Sequence, residues 1–219
     1  MKTIKWILKT TSFLLLISLV MISCKKKKTA PTLTLNGATQ ITLCLGETYT
    51  EAGASALDAY GDNVDVVISG DVNTSLVGTY TIEYTATDKN NNETSALTSI
   101  TIEMCASSLL GDYTITHDCQ VLGIDIVSAD QSILPGLNED QFIIDNFNFA
   151  ISQLTASVDG LTITIPQSTF TIGSPPLSTD VTISGVGVVD ESGTEMVITY
   201  TYDAGIAGSG TCTATYTKA

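Results

Sequence analysis

The chain reads as all-β: a β-sandwich followed by a second antiparallel β unit, either a barrel or another sandwich. Three observations predict this. Apolar residues are plentiful but alternate as Val, Ile, Thr and Tyr, with no stripe at helical spacing. Turn signals recur at short intervals, among them Asn36-Gly37, Gly61-Asp62-Asn63, Gly70-Asp71, Asp88 to Asn92 and Asp159-Gly160. Beyond the first 23 residues, the 219-residue chain is long enough to bury two small cores.

Residues 1–23 stand apart from this pattern. Lys2, Lys5 and Lys9 precede an apolar run from Phe13 to Ile22, and Ser23 places a small residue before Cys24. The run is too short for a comfortable span and polar sequence follows it, so it reads as a cleaved export signal. Met21-Ile22-Ser23-Cys24 resembles the lipobox of bacterial lipoproteins, whose cysteine is diacylated and becomes the mature N-terminus. The resemblance implies a lipid anchor at Cys24 and a place on the outer membrane of a cell envelope. Residues 24–30 form the tether. Lys25 to Lys28 would each add on the order of 1 kcal/mol of attraction to anionic headgroups. Surface-bound lipoproteins of polysaccharide-foraging Gram-negative bacteria often carry acidic residues here. This tether departs from that pattern and leaves the periplasmic and surface faces both open.

After residue 28 only Lys89 and Lys218 balance 23 acidic side chains, and there is no arginine. Such a body repels phosphate backbones, which excludes nucleic acid as a partner. Planar recognition of carboxylate or phosphate, which recruits arginine, is disfavoured too. The acidic excess reads as solubility.

Residues 31–105 form the first expected domain. Tyr80, Ile82, Tyr84 and Ala86 share one face of the segment Gly78 to Asp88, as a core strand requires. With Leu35-Asn36-Gly37, Gly46-Glu47-Thr48-Tyr49 and Ala52-Gly53-Ala54, this segment resembles the small bacterial immunoglobulin-like module of cell-surface proteins and crystal toxins. The resemblance implies a β-sandwich that serves as a spacer or adhesive unit.

Residues 106–219 form the second domain, with strands expected over 112–119, 121–128, 142–149, 153–158, 161–165, 168–172, 179–185, 194–202 and 211–217. Eight or nine antiparallel strands suit an up-and-down barrel or a sandwich. The opening Leu109 to Ile115 and the closing Cys212 to Lys218 resemble C-terminal β-domains of lipoproteins from the same foraging bacteria. Some of those domains are calycin-like barrels.

Besides Cys24, four cysteines remain: Cys44, Cys105, Cys119 and Cys212. An even count in an oxidising compartment suggests two disulfides. Strand parity points Cys44 and Cys105 outward, and Cys119 and Cys212 inward. Cys44–Cys105 and Cys119–Cys212 therefore match in facing, and each bridge stabilises by at most roughly 4–5 kcal/mol.

Catalytic chemistry finds little footing. His117 is the one histidine, and Asp118 beside it points to the opposite face of a strand, so the two cannot form a relay. Glu139-Asp140 and Asp190-Glu191 read as solvated turns, and Trp6, the one tryptophan, leaves with the signal. Asp88 to Asn92 lacks the glycine and bidentate glutamate of a calcium loop. Gly185-Val186-Gly187 lacks the third glycine of a dinucleotide site and reads as a strand feature. The expectation is no catalytic residue, no metal and no cofactor. The protein then binds or scaffolds, as a possible accessory of outer-membrane nutrient uptake with an envelope protein partner. The alternative is a barrel carrier holding a small apolar ligand among Tyr113, His117, Tyr200 and Tyr202.

Overall fold

The computed structural model describes residues 29–118, 120–121, 124–125, 130–148, 151–174 and 178–219. The export signal, Cys24, Lys25 to Lys28 and Cys119 lie outside them. The fold is all-β.

The first strands are β1 (Thr32–Leu35), β2 (Gln40–Cys44), β3 (Ala54–Leu57), β4 (Asn63–Val64), β5 (Val66–Ser69), β6 (Gly78–Thr87) and β7 (Glu93–Glu103). They form two sheets, β1-β3-β4 and β2-β7-β6-β5, with β2 parallel to β7. Alternation decides what faces the core: Ile82, Tyr84 and Ala86 on β6 and Ile100 and Ile102 on β7 are buried, with polar residues between them.

Two compact units divide the chain. One holds residues 29–36 with Ala54–Val67 and Tyr84–Ala96; the other holds Gly37–Gly53, Ile68–Glu83 and the described residues of Leu97–Ala219. In the first unit, Asp88 organises the turn after β6. Its carboxylate accepts from Asn90 N at 2.8 Å, Asn92 N at 2.9 Å and Asn92 Nδ2 at 2.8 Å, while Asn91 takes a φ of 62°. These bonds, the Asn92 side chain first, hold the Asp88 carboxyl below its ordinary range. This segment is therefore an Asx-type turn.

The second unit contains the barrel. A short 3-10 turn, Ala106–Leu109, leads into β8 (Gly111–His117). A two-residue ribbon follows, β9 (Gln120–Val121) with β10 (Ile124–Asp125). The remaining strands are β11 (Gln131–Pro135), β12 (Gln141–Asn148), β13 (Ile151–Asp159), β14 (Thr162–Ile172), β15 (Thr179–Val189), β16 (Glu195–Asp203) and β17 (Ser209–Lys218). They close in the order β11-β12-β13-β14-β15-β16-β17-β8, every pair antiparallel. Of the two architectures open at the sequence level, the second domain is the barrel.

Where one strand was expected over 121–128, β9 and β10 instead pair with each other as a ribbon, and two further departures from the expected strands have local causes. Gln131–Pro135 forms a strand where none was expected, because Ile133 and Leu134 are too short an apolar run to register. Residues 161–165 and 168–172 belong to one strand, with a bulge between Ile165 and Ser168 where Pro166 cannot donate to a ladder.

Within this second unit, sandwich residues pack on the barrel's lower end. The Cys44–Cys105 disulfide spans 5.5 Å between Cα atoms. Ser108 Oγ donates to Leu45 O at 2.9 Å, and Val77 N donates to Glu191 O at 3.0 Å. Gly193, at a φ of 68°, sits where an added Cβ would lie 2.9 Å from Leu45 Cδ2 and 3.5 Å from Met104 Cε. Asp190 shapes that β15–β16 turn. Its carboxylate accepts from Thr194 N at 2.7 Å, Glu195 N at 2.8 Å and the Ser192 hydroxyl. Desolvation pushes the Asp190 carboxyl up, but these bonds outweigh it and hold the group below 3.8.

Gly193→Ala is expected to cost about 1–3 kcal/mol, through both its backbone conformation and the displaced Leu45. Asp190→Ala, at an exposed turn, is expected to cost about 1 kcal/mol. A group with a depressed pKa stabilises above its unfolded value and loses that contribution as pH falls through the folded value. The deficit of Asp190→Ala should thus be full at pH 7 and shrink below pH 3.8. Chemical denaturation of both variants at the two pH values checks this.

Candidate functional site

An eight-stranded barrel is just wide enough for side chains to fill, and here they do. Tyr113, Ile115, Ile133, Phe142, Ile144, Leu154, Ile163, Met196, Ile198 and Tyr216 are all buried, each on the inward parity of its strand. The lower end is plugged by Tyr113. Its hydroxyl donates to Leu109 O at 2.8 Å, and its ring meets the Tyr216 ring edge-on at 6.3 Å. Lys218 Nζ lies 5.9 Å from the Tyr113 ring centroid and donates to Ser108 O at 3.0 Å. Burial first, and then the Asp190 charge, push the Tyr113 phenol up to about 12.

At the other end the interior turns polar. The His117 ring stands edge-on to Tyr200 at 6.5 Å, and Tyr200 is edge-on to Phe147 at 5.0 Å. Gln131 Nε2 donates to Phe147 O at 2.9 Å, which ties the start of β11 to the end of β12. Tyr200 fits because Gly185 lies opposite it on β15; a Cβ there would come 2.9 Å from Tyr200 Cβ. Burial, then the charge of Asp118, push the Tyr200 phenol up to about 12.

Four buried polar atoms of the barrel have no hydrogen-bond partner among the described residues: His117 Nδ1, Gln131 Oε1 and Tyr200 OH, and the OH of Tyr216, whose ring stands against Tyr113. Leaving one such atom unsatisfied costs about 1–3 kcal/mol. Four together would cost a sum comparable with the whole stability of a small domain, about 5–15 kcal/mol. Their satisfaction is therefore a question the fold has to answer.

The four expected ligand-facing residues thus do not form one site. His117 and Tyr200 come together. Tyr113 lies four residues down β8 from His117, roughly 13 Å along a strand, within the plug. Tyr202 lies over Gly210, where an added Cβ would meet its ring at 2.8 Å, and lines a shallow outer groove with Gln167, Thr182, Ser184 and Thr201. Gln131 and Phe147 were not anticipated. Gln131 sits on the unexpected strand, and Phe147 is inward only because the β12–β13 register shifts between Asp145 and Asn148, with Asn146 at a φ of 55°. Of the cysteines, Cys44 pairs with Cys105. Cys212 is buried and disulfide-bonded, and its expected partner Cys119 lies outside the described residues. Among the described residues, no three His, Cys, Asp or Glu side chains gather to hold a metal.

Burial holds the His117 imidazole below its ordinary 6.5, against the weaker upward pull of Asp118. A histidine kept neutral by folding destabilises as pH falls, because the unfolded chain takes up its proton first. Wild type should lose stability from pH 6.5 downward, until the folded pKa is passed. His117→Gln should lose less over the same window, as read from melting temperatures at pH 7 and pH 5. Equal losses would contradict the assignment.

Comparison with known proteins bears on the sandwich. Residues 33–102 match the family model described as bacterial surface protein, Ig-like domain. No curated protein matches the chain. Among solved structures, a lipoprotein from Bacteroides thetaiotaomicron aligns over 86% of this chain and 100% of its own, at 14% identity and a TM-score of 0.33. The CBM51-2 and INT domains of Clostridium perfringens ZmpB, in complex with GlcNAc, align over 85% of this chain and 43% of theirs, at 13% identity and a TM-score of 0.28. Likenesses this loose carry no argument about function. Over residues 33–102, then, the chain is similar to the Ig-like domain of bacterial surface proteins.

Proposed function

We propose that this chain is a non-enzymatic binding or scaffolding protein of the cell envelope, tethered to the outer membrane through acyl chains on Cys24, and that it docks an envelope protein partner on the outer wall of its barrel. A role beside an outer-membrane nutrient transporter fits this reading. One observation carries it: the middle of that wall bears no charge, although the body of the chain is strongly acidic. Ser157, Thr164, Val186, Thr199 and Thr213 stand opposite one another across five strands. Thr162, Val188, Val197, Thr215 and Thr116 make the adjoining row, and charge enters it only at its β13 end, with Asp159 opposite Thr162. Val186 and Val188 are 61% and 59% exposed. A neutral wall is where close approach to such an acidic body meets least repulsion, and interface cores are depleted of charge. A filled interior, moreover, leaves the outside as the larger surface for recognition.

The expected test is native purification from membranes. Wild type should bring down a stoichiometric envelope protein, and Val186→Asp/Val188→Asp should lose it at an unchanged melting temperature. Retention by that variant would contradict the outer-wall reading. Cys24→Ala should release the protein to the soluble fraction, and persistence on carbonate-washed membranes would contradict the anchor.

A further inference from the structure

The tip of the first unit, beside which the tether ends, is a surface that the outer-wall reading does not use. We propose that Tyr60 and Lys89 rest against an anionic lipid bilayer, so that the first unit meets the membrane with this tip. The inference rests on the anchor at Cys24 and deepens it; a partner on the barrel wall plays no part in it.

Two turns build the tip. In the loop after β3, the Asp58 carboxylate accepts from Tyr60 N at 2.8 Å and Asp62 N at 3.0 Å. In the loop after β6, Asp88 holds Asn90 and Asn92 in the same way. Lys89 joins the two loops. Its Nζ lies 3.7 Å from Asp58 Oδ2, 3.9 Å from Asp62 Oδ2 and 5.5 Å from the centroid of the Tyr60 ring. The described chain starts at the same place: Asn92 Nδ2 donates to Thr29 O at 3.5 Å, and Thr94 Oγ1 donates to Pro31 O at 2.8 Å. All these residues belong to the first unit.

Chain length limits how far this tip can stand from the bilayer. Only residues 25–28 separate Cys24 from Thr29, and five Cα-to-Cα steps reach at most roughly 17–18 Å when fully extended. A diacylated cysteine sits at the base of the headgroup layer, which takes up roughly 5–7 Å of that reach. Thr29, and the loop bonded to it, therefore stays within roughly 10–13 Å of the headgroup surface, little more than a Debye length. Attraction of Lys25 to Lys28 to anionic headgroups draws it closer.

Exposure and charge suit that neighbour. Tyr60 is 66% exposed, and a tyrosine offers an apolar ring with a polar end, the combination favoured at headgroup level. The Lys89 side chain is 68% exposed, and its long stem can carry the ammonium to a phosphate. Of the three acids in the two loops, Asp58 and Asp88 are turned inward to their own amides. Asp62 alone faces outward, beside Lys89. Counting Lys25 to Lys28, lysines outnumber acids at this tip, the reverse of the balance over the rest of the mature chain.

A single fluorescent reporter tests the contact. The mature chain has no tryptophan, so Tyr60→Trp marks the tip alone. The acylated protein is reconstituted in phosphatidylcholine and phosphatidylglycerol vesicles whose acyl chains carry bromine near the glycerol. Emission of the Tyr60→Trp protein should shift to the blue and be quenched by the brominated lipid. Ser55→Trp, at an exposed position further back on β3, should stay solvent-like and unquenched. Adding Lys89→Glu to the Tyr60→Trp protein should weaken quenching about twofold or more at an unchanged melting temperature, as replacing a surface lysine by an acid implies. Flotation with the vesicles separates the two readings. Protein that does not float would overturn the anchor and this proposal with it. Protein that floats with the Tyr60→Trp reporter unquenched would overturn this proposal and leave the anchor standing. Equal quenching of Ser55→Trp and Tyr60→Trp, or quenching indifferent to Lys89→Glu, would overturn it as well.

Discussion

Everything in the second unit depends on the seam between β8 and β17. Five residue pairs, from Ala214 with His117 to Lys218 with Tyr113, join the first strand of the barrel to its last. Beyond the ladder, Asp118 N donates to Thr213 O at 3.2 Å, Thr213 N donates to Asp118 Oδ1 at 2.6 Å, and Ala219 N donates to Asp112 O at 2.9 Å. Closure removes both sheet edges, which would otherwise template pairing with other chains. It also encloses Tyr113, Ile115, Ala214 and Tyr216, whose burial needs both strands in place. Lys218 then has its position fixed by the same ladder, and from there it reaches Ser108 and the Tyr113 ring.

The seam also separates two kinds of interior. Below, Tyr113 has a hydrogen-bond acceptor in Leu109 O, and the remaining space is filled by aliphatic side chains and aromatic edges. Above, hydroxyl, amide and imidazole atoms outnumber their partners among the described residues. Large aromatic side chains supply the bulk throughout, but of Tyr113, Tyr200 and Tyr216 only Tyr113 pairs its hydroxyl among the described residues. A barrel optimised for stability alone would carry phenylalanine at positions 200 and 216, since an apolar ring of the same shape avoids the desolvation penalty.

Much of this architecture was legible because period-two alternation is a direct readout of facing. The Tyr80 to Ala86 face, the inward Cys212-Ala214-Tyr216 face and the outward pairing of Cys44 with Cys105 all follow from parity. Parity failed where the backbone inserts a residue. The bulge around Asn146 turns Phe147 inward, and the one after Ile165 splits a continuous strand into two apparent ones. It also could not measure depth: Tyr113 and His117 share a face but lie at opposite ends of the barrel. Gln131 was invisible for a different reason, because a polar residue at an inward position breaks the apolar signal that marks a strand.

Hydrogen exchange at the β8–β17 seam tests the closed barrel most directly. If closure underlies the fold, slow amides of β8 and β17 should exchange only through global unfolding, at the same free energy as those of β15 and β16. Seam amides that exchange at markedly lower free energy than the rest would contradict it, and would describe an open sheet whose first and last strands merely meet.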